Sequence, residues 1–257
     1  MIDLIVFSVG TNKYAMNIEN VQRIIQSQAL TDIPNVHIYI DGMMSYEDKV
    51  IKVLNFRKLI GMKSYRQDLK ELFVKLKEGH QTWIDELRHS VANGVEFTKT
   101  LDPHACELGK WLDTFNSYDE KVSERLRDLN SNHKHLHKSG GVALETYKSD
   151  EESAKKIVNT DIYDTFKNTM GSLDGFVSEL DLMASSLQKL IIYDNDGVIF
   201  GIKVDTIEDI AHVQKDNLVN ANETSVTDNE SDFLELEGVL DLEGSLINII
   251  KTINLPK

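Results

Sequence analysis

The sequence predicts an α+β protein in which a helical segment interrupts a β segment. Three observations carry this. Short apolar runs of strand-like pattern occupy both ends of the chain, the middle switches to helical spacing, and neither end alone has enough strands to close a pair of barrels. A bundle with an even number of long antiparallel helices brings its two ends together, so its insertion into a surface loop costs little. Three consecutive, separately folded pieces are the alternative.

The first segment, residues 1–64, carries apolar runs at Leu4–Phe7, Tyr14–Ile18, His37–Ile40 and Val50–Leu54. Turn chemistry at Val9-Gly10-Thr11-Asn12 and Asp41-Gly42 separates them, and a short helix is expected at Asn17–Ser27. Residues 65–188 change period. Leu69, Leu72, Val74, Leu76, Trp83, Leu87 and Val91 follow helical spacing, and similar stripes recur at Leu108–Phe115, Val122–Tyr147 and Ile157–Leu187. Pro103 stands where a helix would begin, with Asp102 before it as a cap. Four main helices are expected. Strand patterns return in residues 189–257, at Leu190–Tyr193 and Val198–Val204 around the turn Asp194-Asn195-Asp196-Gly197, then at Phe233–Leu242 and Ser245–Ile250. Residues 214–232, rich in Asn, Asp, Ser and Thr, are expected to form a surface loop.

Composition narrows the function classes. Of 257 residues, 41% are hydrophobic, enough for packed cores. The formal charge of −14 disfavours phosphate backbones and anionic lipid surfaces as partners. No apolar run is long enough to span a bilayer. The apolar start Met1-Ile2-Asp3-Leu4-Ile5-Val6-Phe7 has no basic flank or small-residue cleavage site, so it reads as a strand. A single cysteine forms no internal disulfide, which fits the reducing cytoplasm.

That cysteine, Cys106, follows Asp102-Pro103-His104-Ala105. His80 lies upstream in His80-Gln81-Thr82-Trp83, and His133 and His137 lie downstream in His133-Lys134-His135-Leu136-His137. On a helix His133 and His137 point the same way, about one turn apart, which suits two ligands on one metal. Three imidazoles and a thiolate near a helix N-terminus make a closed tetrahedral donor set of zinc type rather than magnesium or calcium type. Taken singly, each piece is ambiguous. A lone cysteine on a helix is usually a small buried hydrophobe, an HxxxH pair in a polar helix is usually solvated, and the two tryptophans read as core filler.

Three motifs in order, His80-x-x-Trp83, Cys106-x-Leu108-Gly109-Lys110-Trp111 and His133-x-x-x-His137, resemble the chemoreceptor zinc-binding (CZB) domain over roughly residues 66–188. The resemblance implies that His80, Cys106, His133 and His137 hold one Zn2+, and it leaves His89, His104, His135 and His212 outside the ligand set. Four protein ligands leave no open position for a substrate water. Lys134 also stands where the glutamate of a hydrolytic HExxH pattern would be, so no catalytic residues are assigned. A zinc-bound thiolate stays nucleophilic and open to oxidants or metal exchange, so a sensory use and a purely structural one both remain.

The flanks carry a second resemblance. Val6-Phe7-Ser8-Val9-Gly10, Val50 to Gly61, Phe200-Gly201-Ile202-Lys203-Val204-Asp205, Gly238-Val239-Leu240 and Gly244 to Ile250 are similar, in order, to the CheW-like chemotaxis coupling domain. The resemblance implies two SH3-like β-barrel subdomains interrupted by the inserted four-helix zinc-binding bundle. It also implies a cytoplasmic scaffold or adaptor coupling chemoreceptors to a CheA-like histidine kinase, with no enzyme activity of its own. The partner surface is expected around Glu47, Asp48, Val50 and Lys52. There the chain reads Ser45-Tyr46-Glu47-Asp48 where the family usually has Asn-Leu-Arg-Gly, and Lys52 replaces a proline. Charge is thus reversed at a place the family associates with receptor contact. The alternatives are a zinc-dependent enzyme and a zinc-stapled interaction protein outside receptor arrays.

Overall fold

The computed structural model describes residues 1–115, 117, 119–214, 219–220, 232–242 and 244–256. The chain divides into two compact units, one of Met1–Tyr65 with Ala184–Lys257 and one of Arg66–Met183.

The β unit draws strands from both ends of the chain. The first piece supplies β1 (Ile2–Val9), β2 (Asn12–Asn17), β3 (Val21–Gln26), β4 (Ile40–Tyr46), β5 (Lys49–Asn55) and the one-turn helix α1 (Phe56–Leu59). The second supplies β6 (Lys189–Asn195), β7 (Val198–Val204), β8 (Thr206–Val213), β9 (Val219–Asn220), β10 (Leu234–Leu242) and β11 (Ser245–Ile253). One sheet runs β8-β1-β2-β11-β10-β9 and the other β3-β6-β7-β5-β4. Each interleaves strands from the two pieces. β2 pairs in parallel with β11 through Ala15 and Ile249, and β5 pairs in parallel with β7 through Leu54 and Ile202.

Strand alternation explains the packing. In β6, Ile191 and Tyr193 face the largest core cluster, with Phe7, Phe56, Phe200 and Ile250, while Leu190 and Ile192 face a second cluster with Met44, Ile51 and Val53. In β1, Leu4 and Val6 enter a third cluster with Ala15, Leu240 and Ile249, while Phe7 and Val9 turn to the first. Such strands are apolar on both faces because both are covered.

Four local expectations need correction. The helix expected at Asn17–Ser27 is a 3-10 turn, Ile18–Asn20, capped by Asn17 and followed by β3. There β-branched Ile24 pairs with Ile191 of β6, and tertiary pairing overrides a short helical pattern. The strand expected at His37–Ile40 begins only at Ile40, and Asp41-Gly42 is strand rather than turn. Gly42 (φ 152°) sits at a register shift, and a Cβ there would stand 2.7 Å from the Thr31 carbonyl oxygen. β8 had no separate strand signal. Most of the expected 214–232 loop lies outside the described residues.

The helical unit is built from α2 (Tyr65–Asn93), α3 (Glu107–Thr114), α4 (Glu120–Tyr147), α5 (Glu151–Ile157) and α6 (Tyr163–Ser178), followed by α7 (Leu180–Leu187). A π-helical turn, Val158–Ile162, joins α5 to α6. The stripe expected over Ile157–Leu187 therefore breaks into separate helices. The Ser178 hydroxyl bonds back to the Gly175 carbonyl, and Glu179 leaves helical geometry at φ −121°. Asp119 and Asp150 cap α4 and α5 by accepting from Val122 N–H and Ser153 N–H. The core cluster of Trp83, Ile84, Leu87, Leu136, Ala143, Val158 and Phe166 closes the unit.

Candidate metal centre

The buried face of α2 reads Leu69, Phe73, Leu76, His80, Trp83, Leu87, Val91, and that of α4 reads Leu126, Leu129, His133, Leu136, His137, Gly140, Ala143. Both are ordinary apolar stripes except that imidazoles stand where leucines would fit. His80 is 4% exposed, and His133 and His137 are fully buried. The fourth member comes from the connection between the helices. Cys106 caps α3, its Sγ accepting the Gly109 N–H at 3.3 Å. The Asp102 cap expected from sequence is thus replaced by the thiol itself. A turn over residues 102–105 precedes the helix, and Asp102 holds the His104 N–H within it.

These side chains converge. One donor atom from each of His80, Cys106, His133 and His137 lies within 4.8 Å of every other. Cys106 Sγ is 3.1 Å from His133 Nε2 and 3.9 Å from His80 Nε2. Ligands around a tetrahedral zinc, with Zn–N near 2.0 Å and Zn–S near 2.3 Å, stand about 3.5 Å apart, so the set is already close to that spacing.

Protonation also fits. His80 donates Nδ1–H to the Leu76 carbonyl at 3.0 Å, which leaves the Nε2 lone pair facing the cluster. Burial, followed by the neighbouring His80 and His137, pushes His133 down to about 3. Burial and His80 push His137 down to about 4, with the Leu101 and Thr100 carbonyls acting against the shift. Burial lowers His80 too, and raises the Cys106 thiol. At neutral pH the site is three neutral imidazoles and one thiol. Its hydrogen bonding is incomplete. His133 Nδ1 and both ring nitrogens of His137 are buried without a hydrogen-bond partner. Each such orphan costs about 1–3 kcal/mol, and a cation held by one nitrogen of each ring would offset that cost only at the nitrogen it takes. Donor set, spacing and orphaned nitrogens all fit zinc.

Three residues support the site: Trp83 and Gly109, which stand in the quoted motifs, and Gly140, which carried no sequence signal. Trp83 sits in the core as expected, with its ring 4.9 Å from that of His137 and its Nε1–H donated to the Thr100 carbonyl. Its position, three residues after His80 on the same face, was the available clue. Gly140 makes room for it, since a Cβ there would lie 2.6 Å from the indole. A Cβ at Gly109 would fall 1.7 Å from the Pro103 carbonyl oxygen, so only glycine permits this turn.

Of the five other histidines, half-buried His37 accepts the Tyr39 N–H in the β unit, and the other four also have partners. His104 donates Nδ1–H to Asp113, His135 faces Asp161, His89 meets Asn93 and His212 meets Asp3, all exposed. The expected partner surface lies in the β unit. Glu47 and Asp48 form the exposed β4–β5 turn, with Glu47 at φ 50°, while Val50 is 67% exposed and Lys52 half-buried.

Comparison with known proteins is consistent with both resemblances. Residues 3–84 match the family model of the CheW-like domain, and residues 80–144 match that of the chemoreceptor zinc-binding domain. The first match runs past Tyr65 into α2. The chemotaxis protein CheW of Thermotoga maritima is 21% identical over 72 residues, 28% of this chain and 48% of that protein, so the matched stretch spans about half the length of this relative. Among solved structures, the scaffolding protein TtCheW from Thermoanaerobacter tengcongensis aligns over 98% of this chain and 90% of its own, at 13% identity and TM-score 0.46. The regulatory CZB domain of DgcZ aligns over 42% of this chain and 92% of its own, at 18% identity and TM-score 0.36. In chain order, residues 3–84 are thus similar to the CheW-like domain and residues 80–144 to the chemoreceptor zinc-binding domain.

Proposed function

We propose that this protein is a cytoplasmic, non-enzymatic chemotaxis adaptor whose helical unit holds one zinc ion on His80, Cys106, His133 and His137. The observation that carries the metal assignment is the convergence of four donor atoms, one from each side chain, within 4.8 Å of one another. Four protein ligands complete a tetrahedral shell and leave no position for a substrate water. The CheW-like match supports a coupling role for the β unit, with a CheA-like kinase as first partner and chemoreceptors as second. Among the described residues no helix is long and apolar enough to cross a membrane.

Zinc at this site reports zinc or oxidant level. Losing the Cys106 thiolate opens the shell, and the packing of α2 against α4 then loses the ion that offsets three buried imidazoles. The partner surface includes Glu47, Asp48, Val50 and Lys52. The acidic turn favours a partner face richer in Lys and Arg than one shaped for the family's usual Arg-Gly.

The test is metal analysis of purified protein combined with co-purification of chemotaxis proteins from cells, with and without chelator. One zinc per chain, lost in Cys106→Ser, and capture of the kinase that changes with chelation are expected. A chain without zinc, or kinase capture indifferent to both chelator and Cys106→Ser, would defeat the respective half of the proposal.

A further inference from the structure

The β unit contains one deeply buried ion pair whose hydrogen bonds are spent on unusual targets. Arg57 is 2% exposed and Asp205 8%. The guanidinium engages the carboxylate through Nε at 2.8 and 2.9 Å and through NH2 at 2.6 Å. Its remaining NH1 donates to the carbonyl of Lys63 at 3.1 Å, and its plane lies 4.8 Å from the ring centre of Tyr65. Lys63 and Tyr65 are the chain that leads into α2.

Asp205 reaches the other end of the same excursion. It accepts from Gln188 Nε2 at 3.1 Å, where the chain returns from α7 into β6, and from Gly10 N–H at 2.8 Å in the β1–β2 turn. Gln188 is 4% exposed, and its carbonyl accepts from Ser27 N–H and from Gln26 Nε2 at the end of β3. Gln26 Nε2 also donates to the Ser185 carbonyl. At Gly10 (φ 60°) a Cβ would stand 2.4 Å from the terminal methyl of Met62, so the incoming segment touches the same turn.

A buried ion pair is a poor stabiliser, because desolvation consumes most of its Coulomb energy; its use is to specify one arrangement. Here the specified arrangement is that of the incoming and outgoing segments. If either moves, a desolvated charge loses a partner, and the adjustment falls on Gly10, Ser27 and the β7–β8 corner at Asp205. Resting on the reading that the helical unit binds zinc, we propose that Arg57 and Asp205 form a latch through which the strands of the β unit sense the metal state of the helical unit. Gln188 is its positioning residue on the outgoing side.

Hydrogen exchange of the full chain, zinc-loaded against chelated, tests this with zinc stoichiometry measured on the same samples. In the wild type, zinc is expected to change exchange at Gly10, Ser27 and β6 by roughly five-fold or more, the low end of site-to-site coupling. Asp205→Asn keeps the shape and removes the charge, while Gln188→Met removes one linker bond and leaves the pair. Both should bind one zinc, and both should lose most of that β-unit response. If Asp205→Asn does not fold, Gln188→Met decides. Full zinc binding with an unresponsive wild-type β unit, or variants that respond like the wild type, overturns the latch alone. A chain that takes up no zinc overturns the latch together with the metal reading.

Discussion

The two units bury polar groups to a similar depth and treat them in opposite ways. In the β unit Arg57 and Asp205 are almost inaccessible, yet the pair, Gln188, Gly10 and Lys63 fill its hydrogen-bonding positions. In the helical unit His133 and His137 are fully buried, and three of their ring nitrogens make no well-formed hydrogen bond. A native interior rarely leaves such groups unpaired. A satisfied buried network is part of the architecture, whereas an unsatisfied one, made of good donors at ligand spacing, is where the cation is proposed to bind.

The largest expected effect follows from that contrast. Adding zinc to metal-free protein should raise the melting transition of the helical unit far more than that of the β unit, since structural zinc sites of this kind bind with apparent free energies of about 10–16 kcal/mol. Differential scanning calorimetry with and without zinc checks this. Two transitions that move together, or neither moving, would erase the distinction between the units. Next in size, Asp205→Ala takes the carboxylate away from the buried Arg57 guanidinium and should destabilise the β unit by roughly 3–5 kcal/mol in denaturant titrations. Zinc stoichiometry should stay at that of the parent chain. A loss under about 1 kcal/mol would mean that water reaches Arg57 and that the pair is not a buried network.

How much of this was legible in the sequence follows the same division. The helical stripes and the four-residue cluster were readable because His80, Cys106, His133 and His137 stand in motifs with fixed spacing, and a helix converts spacing directly into facing. The β unit was legible in outline only. β3 looked helical because its three apolar residues fit either period over so short a run, and its identity is decided by pairing with β6, far along the chain. Arg57 and Asp205 are separated by 148 positions, and nothing local announces that they meet. Gly109 and Gly140 were visible as letters, but their need arises from the Pro103 carbonyl and the Trp83 ring.

Gly109→Ala sharpens the contrast at smaller scale. The new Cβ would collide with the Pro103 carbonyl oxygen and displace Cys106 from its capping position. Disturbing a group that orients a ligand typically costs 10–100-fold in metal affinity, and a loss in that range is expected here. It should appear in competition with a zinc chelator, while the β-unit melting transition remains unchanged. An unaltered affinity would show that the turn before α3 does not position the thiol.

The smallest effect is the most discriminating, because it separates buried neutral imidazoles from exposed ones. Zinc needs a deprotonated thiol, and burial raises Cys106 above its ordinary value of 9.0, so at pH 7 binding should release about one proton. The imidazoles add none, since His133 and His137 titrate near 3 and 4 and His80 is also lowered from 6.5. The logarithm of zinc affinity should therefore fall by about one per pH unit as the pH drops below 7, steepening only where His80, lowered from 6.5 by burial, takes up its proton. Exposed histidines would steepen that slope below pH 6.5. The sign for metal-free stability is the companion result. Above pH 6.5 neither folded nor unfolded imidazoles hold a proton. Below it the unfolded chain takes up protons that the folded rings refuse, so the helical unit loses stability as the pH falls from 6.5 toward 3. Calorimetric proton counting in buffers of different ionisation enthalpy reads the first effect and acid titration of the metal-free chain reads the second. A slope near four below pH 6.5 would place the imidazoles in water.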